Sequence, residues 1–235
     1  MPGAVVIALE GIGKSFGARR LLAGIALSIG RGETFGLIGP AGAGKSVLAK
    51  ILCGLIAPDT GQVRVDAAPV GMLFQNNALF DFMTVGENVA FPLVRQGELA
   101  GADIRARVAE RLRAVGLAGS EDKFPNELSG GMKKRAALAR AVIARPPVCI
   151  FDEPTAGLDP VTTSKIYDLL RAERDASGAT VVVISSDVDA LRAFAPRLGL
   201  LHDGRLRYDG PSATIGDSDD AVVRQFVSGA LEGPL

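Results

Sequence analysis

Apolar positions along the chain follow two rhythms, and the switches between them outline its architecture. Residues 5–10 and 24–29 read as strands; in the second, Ile25, Leu27 and Ile29 alternate with small or polar neighbours, as in a half-buried antiparallel strand. Thr34-Phe35-Gly36-Leu37-Ile38 is a short apolar run, and after a glycine-rich stretch Val47-Leu48-Ala49-Lys50-Ile51-Leu52 takes helical character. A turn over 57–61 precedes strand-like pieces at 63–65 and 70–74. From about Thr84 to Ala144 the pattern becomes helical, with residues 105–113 and 132–141 both amphipathic. Their arginines and lysines are expected on solvated helix faces. Pro146-Pro147 ends that region, and Val148-Cys149-Ile150-Phe151 and Thr180-Val181-Val182-Val183-Ile184 are apolar enough for strands covered on both faces. Helices at about 160–175 and 188–195, strand-like pieces at 198–201 and 205–208 around Asp203-Gly204, and a polar link at 216–220 before a last amphipathic piece complete the chain. This order predicts an α/β fold: a mixed, largely parallel sheet flanked by helices, with an antiparallel β subdomain and an inserted helical subdomain. We read one domain over 1–235, with a core at about 1–83 and 146–215, a helical subdomain at about 84–145 and a tail at about 216–235.

The glycine-rich stretch is where chemistry enters. Gly39-Pro40-Ala41-Gly42-Ala43-Gly44-Lys45-Ser46, continued by Val47, has the spacing G-x-x-x-x-G-K-[ST] between a strand and a helix. That spacing makes a phosphate-binding loop, so the core is that of a P-loop NTPase. Successive backbone N–H groups and the helix N-terminus face the anion, Lys45 reaches the β- and γ-phosphates, and the Ser46 hydroxyl is offered to Mg²⁺. Downstream, the run 148–151 delivers Asp152 and Glu153 to a strand end, where open parallel sheets bind ligands. Asp152 suits the metal-holding aspartate of such a site, and Glu153 is placed to polarise an attacking water. Phe16 leaves two readings open on spacing alone, a core aromatic or a ring stacked on adenine.

Composition narrows the partners. Lys plus Arg and Asp plus Glu both number 26, so no net charge recruits nucleic acid, and an anion has to be held by local geometry. Cys53 and Cys149 sit far apart in apolar stretches and read as buried thiols in a reducing compartment. The start, Met1-Pro2-Gly3-Ala4, lacks the basic residues of a signal peptide, and no run is long and apolar enough to span a bilayer. Work at a membrane would then need a partner.

Leu128-Ser129-Gly130-Gly131-Met132, lying between the phosphate loop and Asp152-Glu153, resembles the signature motif of the ATP-binding cassette (ABC) ATPases. The resemblance covers nearly the whole chain: Gln75 matches the Q-loop, Asp159 the D-loop, and Phe16 the adenine-stacking aromatic. It implies ATP and Mg²⁺ as cofactors, with Gln75 beside Ser46 and Asp152 at the metal. It also implies a head-to-tail homodimer in which Ser129, Gly130 and Gly131 of one copy meet the ATP on the other's phosphate loop. One position departs, because Ser186 stands where the family places a histidine after the strand at 180–184. Serine donates a hydrogen bond but carries no imidazolium charge, so hydrolysis with the expected catalytic set Lys45, Gln75, Glu153 and Ser186 is expected to be slower. The sole histidine, His202, lies beside a turn and is given no role.

Within the family, residues 74–93 and the tail 223–235, with Arg224-Gln225-Phe226 and Gly233-Pro234, look like the ATPase of the Mla-type phospholipid transporters. That implies an integral-membrane permease, an MCE-type lipid-binding protein, and a peripheral place on the cytoplasmic face of the bacterial inner membrane. Leu79, Phe80 and Phe82 are then either exposed for a permease helix or folded into the helical subdomain, and the tail either reaches a neighbouring subunit or frays. The alternatives are an ABC ATPase for another substrate and a nucleotide-gated clamp with weak hydrolysis. A soluble cassette acting on DNA or ribosomes usually has a coiled-coil insertion or a second cassette, and this chain has neither.

Overall fold

Strand β1 (Val5–Phe16) runs antiparallel to β2 (Arg19–Gly30) in the computed structural model, which describes residues 4–235. Both outrun the expected 5–10 and 24–29. The register slips between Leu9 and Ile12 and again between Ile12 and Gly13, so the two-residue alternation breaks and the pattern conceals the far half of the hairpin. Strand β3 (Thr34–Ile38) is buried at all five positions and feeds the glycine-rich loop and α1 (Lys45–Leu52). Strand β4 (Thr60–Val65) pairs antiparallel with β1, giving the sheet order β2-β1-β4.

After β5 (Val70–Leu73) come α2 (Val85–Gln96), α3 (Gly101–Ala114) and α4 (Gly130–Val142). Thr84 starts α2 through a capping box, accepting from the Glu87 amide while the Glu87 carboxylate accepts from its own N–H. Strand β6 (Val148–Asp152) lies parallel to β5, with Leu73 opposite Phe151. Then follow α5 (Pro160–Ser177), β7 (Thr180–Ile184), α6 (Val188–Phe194), β8 (Arg197–His202), β9 (Arg205–Pro211) and α7 (Ala221–Ser228).

The chain divides into two units, residues 4–68 with Thr180–Leu235, and Pro69–Ala179. In the first, β3 lies between β7 and β8, parallel to both, and β9 returns antiparallel on β8. Phe35, Leu37, Ile38, Val183, Ile184, Leu198 and Leu200 make its core, each nearly without exposure. In the second, α2, α3 and α4 close over Val85, Val89, Leu93, Val108, Leu112, Leu128 and Ala139. The fully buried Asn88 amide donates to the carbonyls of Phe80, Met83 and Thr84 and accepts from Phe80 N–H, which fixes the approach to α2. The fold class is the expected one, α/β with an antiparallel β sheet and a helical region.

Neither cysteine forms a disulfide, and burial pushes the Cys149 thiol up to about 12 against a smaller opposing effect of Arg111. Since the thiolate is the nucleophile, native protein treated with iodoacetamide at about pH 8 should leave Cys149 unmodified and label it only after unfolding. Peptide mass spectrometry with and without denaturant checks this.

Candidate functional site

The first unit contains the phosphate loop. Gly39 leaves β3 with φ +149°, and a β-carbon there would overlap the Leu201 carbonyl, so the chain can turn only without a side chain. Gly44, φ +104°, sits at the N-cap of α1, where a β-carbon would lie 2.8 Å from Leu22 Cδ2. No side chain caps that helix start and no acidic residue occupies its first turn, leaving its positive end for an anion. Lys45 is buried, and its Nζ donates to the carbonyls of Gly39 (2.6 Å) and Pro40 (3.1 Å), closing the ring from inside. Leu37 of β3 is level with Ile184 of β7, so Gly39 and the exposed Ser186 both stand two residues beyond that pair.

Phe16 ends β1 opposite Arg19, and Arg19 donates to the Gly42 carbonyl at 3.4 Å, which puts the hairpin tip at the phosphate loop. Its ring is 52% exposed, with Lys14 Nζ 5.6 Å from its centroid, and this excludes the core reading. His202 does lie at this end. With Arg19, Arg20 and Arg205 it lines a pocket against Pro40, Ala41, Gly42 and Ala43.

The second unit gathers the other motifs around the start of α4. Ser129 is its N-cap, accepting from Met132 N–H at 3.3 Å, and Gly130 and Gly131 form its first turn. Asp159 caps α5; it accepts from the Thr162 hydroxyl (2.6 Å) and amide (2.9 Å), which hold its carboxyl below the usual range, the hydroxyl most strongly. Gln75, Asn76 and Asn77 share one pocket with Gly130, Lys134, Ala156, Gly157 and Leu158. Asp152 is 2% exposed at the end of β6 and Glu153 follows at 9%. Glu153 has φ +48°, a left-handed conformation that costs a residue with a β-carbon about 1–3 kcal/mol.

Two cations here were expected on a solvated face and are buried instead: Lys134 at 4% and Arg140 at 8% exposure. Lys134 Nζ donates to the carbonyls of Gln75 (2.6 Å) and Glu153 (3.0 Å). Arg140 donates to those of Asn77 and Ala78, both at 2.7 Å and both residues at positive φ. Burial lowers the pKa of both side chains; for Lys134 the charges of Glu153 and Asp152 work against that shift. The signal was present in the helical period, since Lys134 precedes Ala137 and Leu138 by three and four positions and so shares their apolar side. Leu79 packs on the helical core; Phe80 stacks near Phe91 and Phe82, with ring centroids 5.0 and 5.8 Å away, and Phe82 is 77% exposed.

The family model for ABC transporters matches residues 22–156, more than half of the chain. The chain belongs to the ABC transporter family. A probable ribonucleotide transport ATP-binding protein, mkl, of Mycobacterium leprae is 39% identical over all of this chain and 72% of its own length. The intermembrane phospholipid transport system ATP-binding protein MlaF of Escherichia coli K12 is 36% identical over 93% of this chain and 87% of its own. Among solved structures, the dimeric post-hydrolysis state of the cassette MJ0796 bound to ADP and Pi superposes with a TM-score of 0.80 at 31% identity, over 88% of this chain and 98% of that one. As a cassette of this family the chain binds ATP and is an ATPase. Among the described residues no helix is long and apolar enough to cross a membrane.

Lys45→Ala should weaken ATP binding on the order of 10- to 100-fold, the scale of one or two charge-assisted hydrogen bonds. Titration of the purified chain with a fluorescent ATP analogue measures it; affinity equal to the parent's would remove Lys45 from the site.

Proposed function

We propose that this chain is the ATP-hydrolysing subunit of a phospholipid transporter, acting as a homodimer on an integral-membrane permease. The observation that supports the cargo most directly is the match to MlaF across nearly the whole chain. The similarity of residues 74–93 and of the tail to the Mla-type group adds to it. In this reading each ATP lies on the phosphate loop Gly39–Val47 of one copy, its adenine on Phe16, and touches Ser129, Gly130 and Gly131 of the other. The dimeric structures of the similar cassette MJ0796 support the pairing. Asp159 serves the same contact between copies.

Glu153 takes the role of the base that polarises the attacking water, Lys45 offsets charge developing on the transferred phosphoryl group, and Ser186 donates a hydrogen bond in place of a histidine. The donors proposed for a metal, the Ser46 hydroxyl, the Gln75 amide and the Asp152 carboxylate, are all oxygens, a set that suits the hard Mg²⁺ ion. When bound, Mg²⁺ would supply positive charge that offsets the charge of the phosphates. ATP closes the dimer and hydrolysis reopens it, a cycle the permease converts into lipid movement. The exposed ring of Phe82 and its neighbours Phe80 and Phe91 suit a permease helix better than Leu79, which the subdomain itself covers. An MCE-type lipid-binding protein completes the assembly, with this subunit on the cytoplasmic face of the inner membrane. A second cargo is kept in view by the mkl relative, whose name points to ribonucleotides.

Glu153→Gln should keep ATP affinity and lower phosphate release by a factor of about 100 or more, the usual worth of a positioned general base. Ser186→His, measured beside it, should raise the rate above the parent's; a parent rate equal to that of Glu153→Gln, restored by the histidine, would instead favour the nucleotide-gated clamp. Cargo is read by co-expressing the chain with its proposed partner permease and reconstituting the complex into vesicles. ATP-dependent movement of labelled phospholipid supports the proposal, and movement of a labelled ribonucleotide with static lipid overturns it.

A further inference from the structure

Lys134 has no part in the chemistry above, yet its position is hard to account for as packing. The second half of α4 is buried almost without interruption, Ala136 through Val142, and an apolar side chain at 134 would complete that face at less desolvation cost. The lysine instead spends its ammonium on two backbone oxygens from loops far apart in sequence, Gln75 at 2.6 Å and Glu153 at 3.0 Å. The Glu153 carbonyl also accepts from the Ala156 amide at 3.3 Å. A left-handed Glu153 persists only where its surroundings support it, and those two donors are part of that support.

Arg140 separates this role from simple support of the loop. It already holds the Q-loop by the carbonyls of Asn77 and Ala78, and its guanidinium lies 5.7 Å from the Phe80 ring centroid, so the loop keeps an anchor on α4 without Lys134. What Lys134 adds is a bond to each of Gln75 and Glu153 from one ammonium. It lies five residues past Ser129 in sequence, so both loops are tied to the helix whose first turn is the signature.

We propose that Lys134 is a positioning residue for ATP hydrolysis. It fixes the backbone of Glu153 and Gln75 against each other and against α4, so that the Glu153 carboxylate is aimed at the attacking water. The inference rests on the role of Glu153 given under the proposed function.

The test is Lys134→Met, which keeps length and removes every donor, beside Lys134→Gln, whose amide can donate to one of the two carbonyls. The full chain is assayed for phosphate release over a range of ATP, with thermal melting as a check on folding. Lys134→Met should hold KM and ATP affinity within about threefold of the parent while kcat falls about 10- to 100-fold, the scale of a misplaced reacting group. Lys134→Gln should recover a part of kcat. If Lys134→Met turns over within about twofold of the parent while Glu153→Gln is inactive, the positioning role is overturned and the site reading stands. If Glu153→Gln itself turns over at the parent rate, the site reading fails and the inference fails with it. A Lys134→Met that melts early, loses ATP affinity along with kcat, and is not improved by glutamine shows a structural lysine only, and that too overturns the proposal.

Discussion

Backbone that must curl around an anion cannot carry side chains at its closest turns, and the loop between Gly39 and Ser46 meets that constraint at both ends. Leu201 closes on Gly39 from one side and Leu22 on Gly44 from the other, so the strand that enters and the helix that leaves are each packed to the limit that glycine allows. The buried Lys45 then bonds the carbonyls of the loop's own first turn. Much of the first unit can be seen as scaffolding for that geometry. Burial of β3 on both faces sets the exit point, the parallel neighbours β7 and β8 set its level, and the β1–β2 hairpin reaches the loop through Arg19.

The second unit solves a different problem with the same economy of parts. Its working segments are loops, the residues after β5 and those after β6, and loops have no ladder of their own to hold them. Helix α4 substitutes for one. Two buried cations on it collect four carbonyl oxygens, three of them from residues at positive φ, and charge-assisted bonds to backbone oxygens are strong enough to keep such conformations populated. The desolvation cost of burying a lysine and an arginine is offset because the partners are carbonyl dipoles and, for Lys134, the carboxylates of Asp152 and Glu153.

What could be read from the chain alone, and what could not, follows from the range of each interaction. The phosphate loop and the run that ends in Asp152-Glu153 were legible because their chemistry depends on residues within a few positions of one another, and local spacing states it. The class of fold was legible for the same reason, through the alternation of buried runs and helical stretches. Tertiary structure alone decided the rest. Bulges that pairing imposes on β1 and β2 erased the alternation by which their length could be counted. Phe16, at the tip of the hairpin, is exposed and not a core aromatic, which no composition reveals. Lys134 and Arg140 carry the same charge as the surface residues around them. The helical period puts Lys134 on the apolar side of α4, but the carbonyls that the two cations bond lie 19 to 63 positions away, so only the packed fold decides what they hold.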